Sequence, residues 1–358
     1  MMTGIDLSKI NKILIVMMGG IGNMIFLTPA LKALRQACPS AKIHFLLGPY
    51  GAEKAIEGSN LIDERTIVDP VKQKGIADTI RLIQKLREEK FSLSISSTGI
   101  NPLKSGLLCY FAGIKYRLGE KMKGKGFFYN LKTSFDKNSH EVESNISLIQ
   151  RLGIEVKDKS LYIRMSADDK NFARETFAYY DLEGKLVIGI HPGSGIHQAG
   201  FKRWPKERFA RLADSIMDNY NASVILFGGT EEINLANDIK ALMKSNPLIM
   251  TGKTTLNKAA AMIEKCGLFI SNDSGLLHVA CAANTPAVAI FGPTNYKKTG
   301  PYSDSSIIVR KELDCSPCYT GEEIKCKPLD CLMLIKVEDV LKEVENMLKT
   351  KRKSHEVS

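Results

Sequence analysis

The sequence predicts an α/β fold built from two parallel sheets, each covered by helices. Strand and helix signals alternate along nearly the whole chain, and the alternation restarts after a polar stretch near its middle. The short apolar strands also run into loops of small residues, as buried strands of such sheets do.

In order, residues 13–17 read as a buried strand ending in Gly19 and Gly20, and 28–36 as the helix that follows. Residues 42–47 form a second strand, 77–90 have helical spacing, and 91–95 alternate like a strand. The second half opens with a strand at 186–190 leading into His191-Pro192-Gly193-Ser194-Gly195. An amphipathic helix at 207–220, a strand at 223–227 closed by Gly228-Gly229, and a helix at 231–243 follow. Strands at 268–271 and 287–291 and a terminal helix at 337–348 complete the pattern. The weakly patterned stretch 166–184 reads as the junction. The expected division is therefore a domain over 1–165, a linker over 166–184, a second domain over 185–335, and a C-terminal helix with a basic tail over 336–358. Two such domains facing each other place a cleft at the carboxyl ends of both sheets.

Composition narrows the class. With 358 residues, 44% hydrophobic and 25% charged, 28 glycines and 13 prolines, the chain is neither disordered, collagenous nor a disulfide scaffold. Eight cysteines are too few for a stapled secreted module of this length. The opening Met1-Met2-Thr3-Gly4-Ile5-Asp6 is short and polar, so a cytoplasmic protein with reduced thiols is expected. Uncharged runs at 13–31 and 274–296 are broken by Gly, Asn and Pro, whereas a bilayer helix needs about 20 continuous apolar residues. No transmembrane segment is expected.

The formal charge is +11. Residues 71–135 hold 13 Lys and Arg against 4 Asp and Glu, an excess of nine, and Lys349, Lys351, Arg352 and Lys353 add a basic tail. Such a field attracts nucleic acid, a membrane surface or a phosphorylated substrate, and a plain solvated face is the alternative. Nucleic acid is not expected, because net charge alone speaks for it and no basic motif is interleaved with aromatics.

Several motifs carry chemistry. Gly19-Gly20-Ile21-Gly22 follows the first strand, but Ile25 stands where a dinucleotide fingerprint needs its third glycine, and no acid ends the second strand. Thr251-Gly252-Lys253-Thr254 lacks the earlier glycine of a P-loop, since Pro247 occupies that position. Ser194 and its neighbours, with Lys202-Arg203-Trp204-Pro205 beyond, can offer free amides and countercharge to an anion. Asp273-Ser274-Gly275 can start a helix whose positive end binds phosphate, with His278 one turn inside. Capping with a core histidine is the plain alternative. Phe291-Gly292-Pro293-Thr294 is a third small-residue loop. Cys315, Cys318, Cys326 and Cys331 read as a packed cluster of reduced thiols, with a structural zinc as the alternative.

These segments resemble glycosyltransferase family 9, the heptosyltransferases of lipopolysaccharide core assembly. The matching pieces are residues 12–16 with Gly20-Ile21-Gly22-Asn23, Thr28-Pro29-Ala30-Leu31, His191-Pro192-Gly193-Ser194, Lys202-Arg203-Trp204-Pro205, Gly228-Gly229-Thr230-Glu231-Glu232, Asn272-Asp273-Ser274-Gly275 with His278, and Gly292-Pro293-Thr294. The resemblance implies a GT-B pair of Rossmann-like domains and inverting sugar transfer, with no cofactor and no metal. It implies that the second domain binds a nucleotide-sugar donor, typically ADP-heptose, through Ser194, Lys202, Arg203, Thr230, Glu232, Asp273, Ser274, Gly275 and His278. It gives Lys202, Asp273 and His278 roles in catalysis as well, with Glu232 reaching the ribose. The first domain would hold a phosphorylated lipid-linked saccharide near Gly22, with Lys121, Lys123 and Lys125 as contacts, peripherally at the inner membrane. The family's glycine loop usually ends in an aspartate that acts as base, and this chain has Asn23 there. An amide orients a hydroxyl but takes no proton near neutral pH. Another base in an active transferase, a slow or specialised transferase, and a silent nucleotide-sugar binding protein all stay open.

Overall fold

The computed structural model describes residues 5–356 apart from 70, 74, 137, 196–199, 320–323, 325 and 327–328, with side chains to 349. The first four residues of the polar opening, Lys74 of the basic stretch, and the side chains of Lys351, Arg352 and Lys353 lie outside the described residues. The chain divides into two compact units, Met1–Arg164 and Met165–Ser358.

In the first unit six parallel strands form one sheet. They are β1 (Lys12–Met17), β2 (Lys42–Leu47), β3 (Glu64–Ile67), β4 (Leu93–Ser96), β5 (Tyr116–Glu120) and β6 (Leu131–Thr133), in the order β3-β2-β1-β4-β5-β6. β1 pairs with β2 on one side and β4 on the other, so the winding reverses between β1 and β4. Open α/β sheets bind their ligands at such a reversal, beyond the carboxyl ends of the strands.

Helix α1 (Ile21–Ala37) begins seven residues before the start expected at 28. The glycine segment therefore opens a helix rather than a long loop. Pro29 lies inside it and has no N–H to give Ile25. The Thr28 hydroxyl donates to that carbonyl instead, at 2.6 Å, and accepts the Tyr162 amide at 3.0 Å. Thr28 is fully buried. Thr28→Val keeps the shape and strands two polar groups, so it should cost about 2–3 kcal/mol, read as a lower denaturant midpoint. Helices α2 (Ile76–Glu88), α3 (Pro102–Phe111) and α4 (Glu141–Gln150) complete this unit.

The second unit corrects one expectation. Residues 166–184 are not a linker, because α5 (Ala167–Tyr179) forms there behind a capping box in which Ser166 and Asp169 exchange hydrogen bonds. α5 pairs Lys170 with Glu264, and Lys258 lies 4.5 Å from the Phe172 ring centre, both through α8 (Leu256–Glu264). Its apolar residues are few, which is why the pattern read as a junction.

Strands β7 (Val187–His191), β8 (Ser223–Leu226), β9 (Leu248–Ile249), β10 (Leu268–Asn272), β11 (Ala287–Ile290) and β12 (Ser306–Val309) form a second parallel sheet ordered β12-β11-β10-β7-β8-β9. This is the order of the first sheet repeated, with its reversal between β7 and β10. α6 (Lys206–Tyr220), α7 (Ile233–Leu242), α9 (Gly275–Ala282), α10 (Tyr296–Thr299), α11 (Asp330–Met333) and α12 (Val337–Glu356) surround it. Leu212 and Ile216 of α6 and Val340 and Val344 of α12 share one buried core with Trp204. Among the described residues no helix is long and apolar enough to cross a membrane.

Candidate functional site

The reversal of the second sheet collects most of the singled-out residues. Parallel register sets His191, the last residue of β7, opposite Ser271 of β10. His191 is buried, with Nε2 2.9 Å from Glu232 Oε2 and Nδ1 2.8 Å from Ser274 Oγ. Ser271 Oγ lies 2.9 Å from Ser274 Oγ. Ser274 is the N-cap of α9 yet makes no side-chain cap hydrogen bond. Its hydroxyl is turned down to His191 and Ser271, so the first amides of α9 receive no acceptor from their own cap residue. Those amides carry the positive end of the helix dipole.

Beside the helix start, Lys202 Nζ sits 2.8 Å from Asp273 Oδ2, with side chains 15% and 7% exposed. Arg203 reaches the Ser194 carbonyl at 3.3 Å and Glu232 Oε1 at 3.4 Å. The Glu232 carboxylate also accepts the Gly229 amide at 3.0 Å. Burial pushes the Glu232 carboxyl up, but the charge and hydrogen bond of His191, the Gly229 amide and Arg203 outweigh it and hold the group below its ordinary value. It is therefore an ionised, buried carboxylate near neutral pH.

Asn272 binds the loops together. Its Nδ2 donates to the Pro192 carbonyl at 2.7 Å and the Gly193 carbonyl at 3.2 Å, and its Oδ1 accepts the Trp204 amide at 3.1 Å. Trp204 Nε1 in turn donates to the Ile335 carbonyl. One fully buried amide thus fixes both ends of the connection between β7 and α6 that carries Ser194, Lys202 and Arg203. The loop with Thr294 is tied separately, because the Pro293 carbonyl accepts the Cys318 and Tyr319 amides. Among the described residues, Thr294 Oγ1 is buried without a hydrogen-bond partner.

Lys202 and Asp273 meet, and Ser194, Arg203 and Glu232 meet, joined through His191 to Ser274. Gly275 opens α9 and His278 is buried one turn in. Thr230 stands apart: it is exposed, and its hydroxyl faces Glu231. The linking parts played by His191, Ser271 and Asn272 are absent from the sequence reading. The only signal for His191 is its place at a strand end, and its partners lie 41 and 83 residues away.

In the first unit Gly20 is the N-cap of α1, and Asn23 Oδ1 accepts the Gly20 amide at 3.2 Å. Gly22 lies in the first turn. Lys121, Lys123 and Lys125 are exposed on the loop after β5, and β5 is two strands from β1. Cys315 and Cys318 are exposed, while Cys331 is buried. Its thiol is pushed up to about 11 by burial first, then by Cys318, Cys326 and Cys315. The exposure of two of the four departs from the expected packed cluster. Among the described residues no group of three or more His, Cys, Asp or Glu is placed to hold a metal ion.

Two doubly wound units in one chain have the architecture of the GT-B fold. Residues 79–327 match glycosyltransferase family 9 (heptosyltransferase), and the chain belongs to that family. It is 27% identical over 314 residues to lipopolysaccharide heptosyltransferase 2 of Escherichia coli (strain K12), covering 84% of this chain and 88% of that one. It is 25% identical over 349 residues to lipopolysaccharide heptosyltransferase 3 of the same organism, covering 91% and 95%. The fold is similar to the crystal structure of the family 9 glycosyl transferase from Veillonella parvula DSM 2008, with TM-score 0.78 and 26% identity over 97% of this chain and 99% of that one. It is also similar to E. coli ADP-heptose lps heptosyltransferase II, with TM-score 0.73 and 25% identity over 95% and 99%.

Proposed function

We propose that the chain transfers heptose from ADP-heptose, with inversion and without a divalent metal, to a phosphorylated lipid-linked saccharide of lipopolysaccharide-core type. The names of its relatives support the donor and the acceptor class. The observation that carries the donor site is the uncapped start of α9 beside Lys202. The diphosphate lies against those amides and the Lys202 ammonium. Asp273 and His278 position the sugar or phosphate, and Glu232, fixed by His191, takes the ribose hydroxyls. Ser194, Arg203, Thr230 and Gly275 line the donor. Gly22 and Lys121, Lys123 and Lys125 take the acceptor, at the cytoplasmic face of the inner membrane.

The acceptor oxygen attacks the anomeric carbon as the bond to the diphosphate breaks and ADP leaves. Lys202 and the helix start carry the leaving charge, the role a divalent ion plays elsewhere. A base removes the hydroxyl proton. Asn23 orients the acceptor hydroxyl rather than deprotonating it.

A silent binding protein is the second reading, favoured by Asn23 being engaged with the Gly20 amide. Incubation with ADP-, GDP- and UDP-sugars, with and without a phosphorylated lipid-sugar acceptor, separates the two. Nucleotide diphosphate released only with acceptor supports transfer, and binding without release supports the silent protein. Asn23→Asp should keep or raise turnover, since an aspartate in the first turn of α1 still accepts the Gly20 amide and suits the helix dipole by about 0.5 kcal/mol. Loss of all turnover in that variant, with unchanged melting, counts against this place for Asn23.

A further inference from the structure

The stretch that carries Cys315 and Cys318 is fastened to the third small-residue loop. Ser316 Oγ donates to the Gly292 carbonyl at 2.9 Å, and the Cys318 and Tyr319 amides donate to the Pro293 carbonyl at 2.9 and 3.0 Å. The loop has a firm seat, since a Cβ at Gly292 would stand 2.6 Å from Cγ of the fully buried Leu332. Tyr319 is therefore held by its backbone on a fixed support. Its ring centre lies 4.9 Å from that of Phe201, with the planes inclined at 40°. Phe201 immediately precedes Lys202, and Lys202 Nζ stands over the same Tyr319 ring, 5.9 Å from its centre. The ammonium thus faces both the Asp273 carboxylate, at 2.8 Å, and an aromatic face. Tyr319 and Lys202 are far apart in the sequence, and only the fold brings them together.

We infer that Tyr319 is a positioning residue for sugar transfer, its ring holding the Lys202 ammonium where the diphosphate of the donor meets it. The inference rests on the donor reading of Lys202 given above. A ring face attracts a cation through its quadrupole out to about 6 Å. It carries no net charge. A second carboxylate in that place would repel the incoming diphosphate and draw the ammonium away from it, whereas the ring does neither. The tilted contact with Phe201 limits how the ring can turn, and it ties the chain just before Lys202 to the same support. A flexible side chain restrained in advance needs less reorganisation as the leaving charge develops. That charge grows as the bond to the anomeric carbon breaks, so the ring should act on kcat more than on KM.

Replacing Tyr319 in the full chain with phenylalanine, difluorophenylalanine and trifluorophenylalanine tests it, with ADP-heptose and a truncated lipopolysaccharide core as substrates and ADP release as the readout. Fluorine drains the ring face of electrons while nearly preserving its shape. Tyr319→Phe should keep kcat within about twofold of the unaltered protein. Each added fluorine should then lower kcat, to about fivefold below by the trifluoro ring, with KM within about twofold and melting unchanged. In a Lys202→Met background the same series should be flat. An unchanged kcat across the series, a loss already complete in Tyr319→Phe, or the same fall without Lys202 overturns the inference. A fall that follows lowered melting overturns it too, and assigns the ring to packing against Phe201. Failure of the donor reading shows differently, as no ADP release already in the unaltered protein, and the inference falls with it.

Discussion

Exchanging Lys202 for methionine is expected to lower turnover at least about a hundredfold, roughly 2.7 kcal/mol of lost transition-state stabilisation. The argument begins with the ion pair. Lys202 and Asp273 are both nearly buried, so the ammonium is already stripped of most water and aimed at the start of α9. A developing diphosphate charge there meets a donor that needs little reorganisation. Methionine preserves length and packing, but it also leaves Asp273 buried without its partner, which destabilises the fold in its own right. The double variant Lys202→Met with Asp273→Asn removes both charges, and because Asp273 itself positions the donor, its kcat is read against that of Asp273→Asn alone. Melting should recover toward the unaltered value while kcat stays low. If kcat recovers along with melting, Lys202 serves the fold and not the leaving group.

The alternation of strands and helices was legible because strands buried in a parallel sheet read as short apolar runs, and both sheets are wholly parallel. Two boundaries were not. The start of α1 hid behind glycines and Pro29, and only the hydroxyl of Thr28, placed by the fold, makes proline tolerable at that point. α5 carries Asp168, Asp169, Lys170 and Glu175 and only a sparse apolar face, so its helical nature rests on the Ser166–Asp169 box rather than on periodicity. At the candidate site, the motif segments stood out because small residues crowd the ends of strands. What joins them did not stand out. His191, Ser271 and Asn272 act through register between β7 and β10, and register is a property of the sheet rather than of either strand. That Ser274 turns away from its own helix could not be read at all, since a serine in that position ordinarily caps.

Gly193→Ala should be nearly as damaging as loss of Lys202, although it adds only a methyl group. A Cβ at Gly193 would stand inside the Glu232 carboxylate, and one at Gly228 would crowd the same carboxylate at 2.7 Å from Oε2. Glutamate tips move easily at a surface. This one is buried and held by His191, Arg203 and the Gly229 amide, so moving it breaks all three contacts. Stability should fall by about 2–3 kcal/mol, and donor affinity about tenfold or more, with the loss mainly in KM. A double-mutant cycle with Glu232→Ala identifies the cause. In that background the space is vacant, and adding Gly193→Ala should cost little. An equal cost in both backgrounds would show that the alanine acts on the backbone of the loop instead. Acid titration gives a second check. The folded protein holds the Glu232 carboxyl below its ordinary value, so its stabilising contribution is present above about pH 4.3 and disappears as pH falls through the lower folded value. A displaced carboxylate has no such contribution to lose. The gap in stability between the unaltered protein and Gly193→Ala should therefore narrow in acid, and a gap independent of pH would mean that Glu232 had not moved.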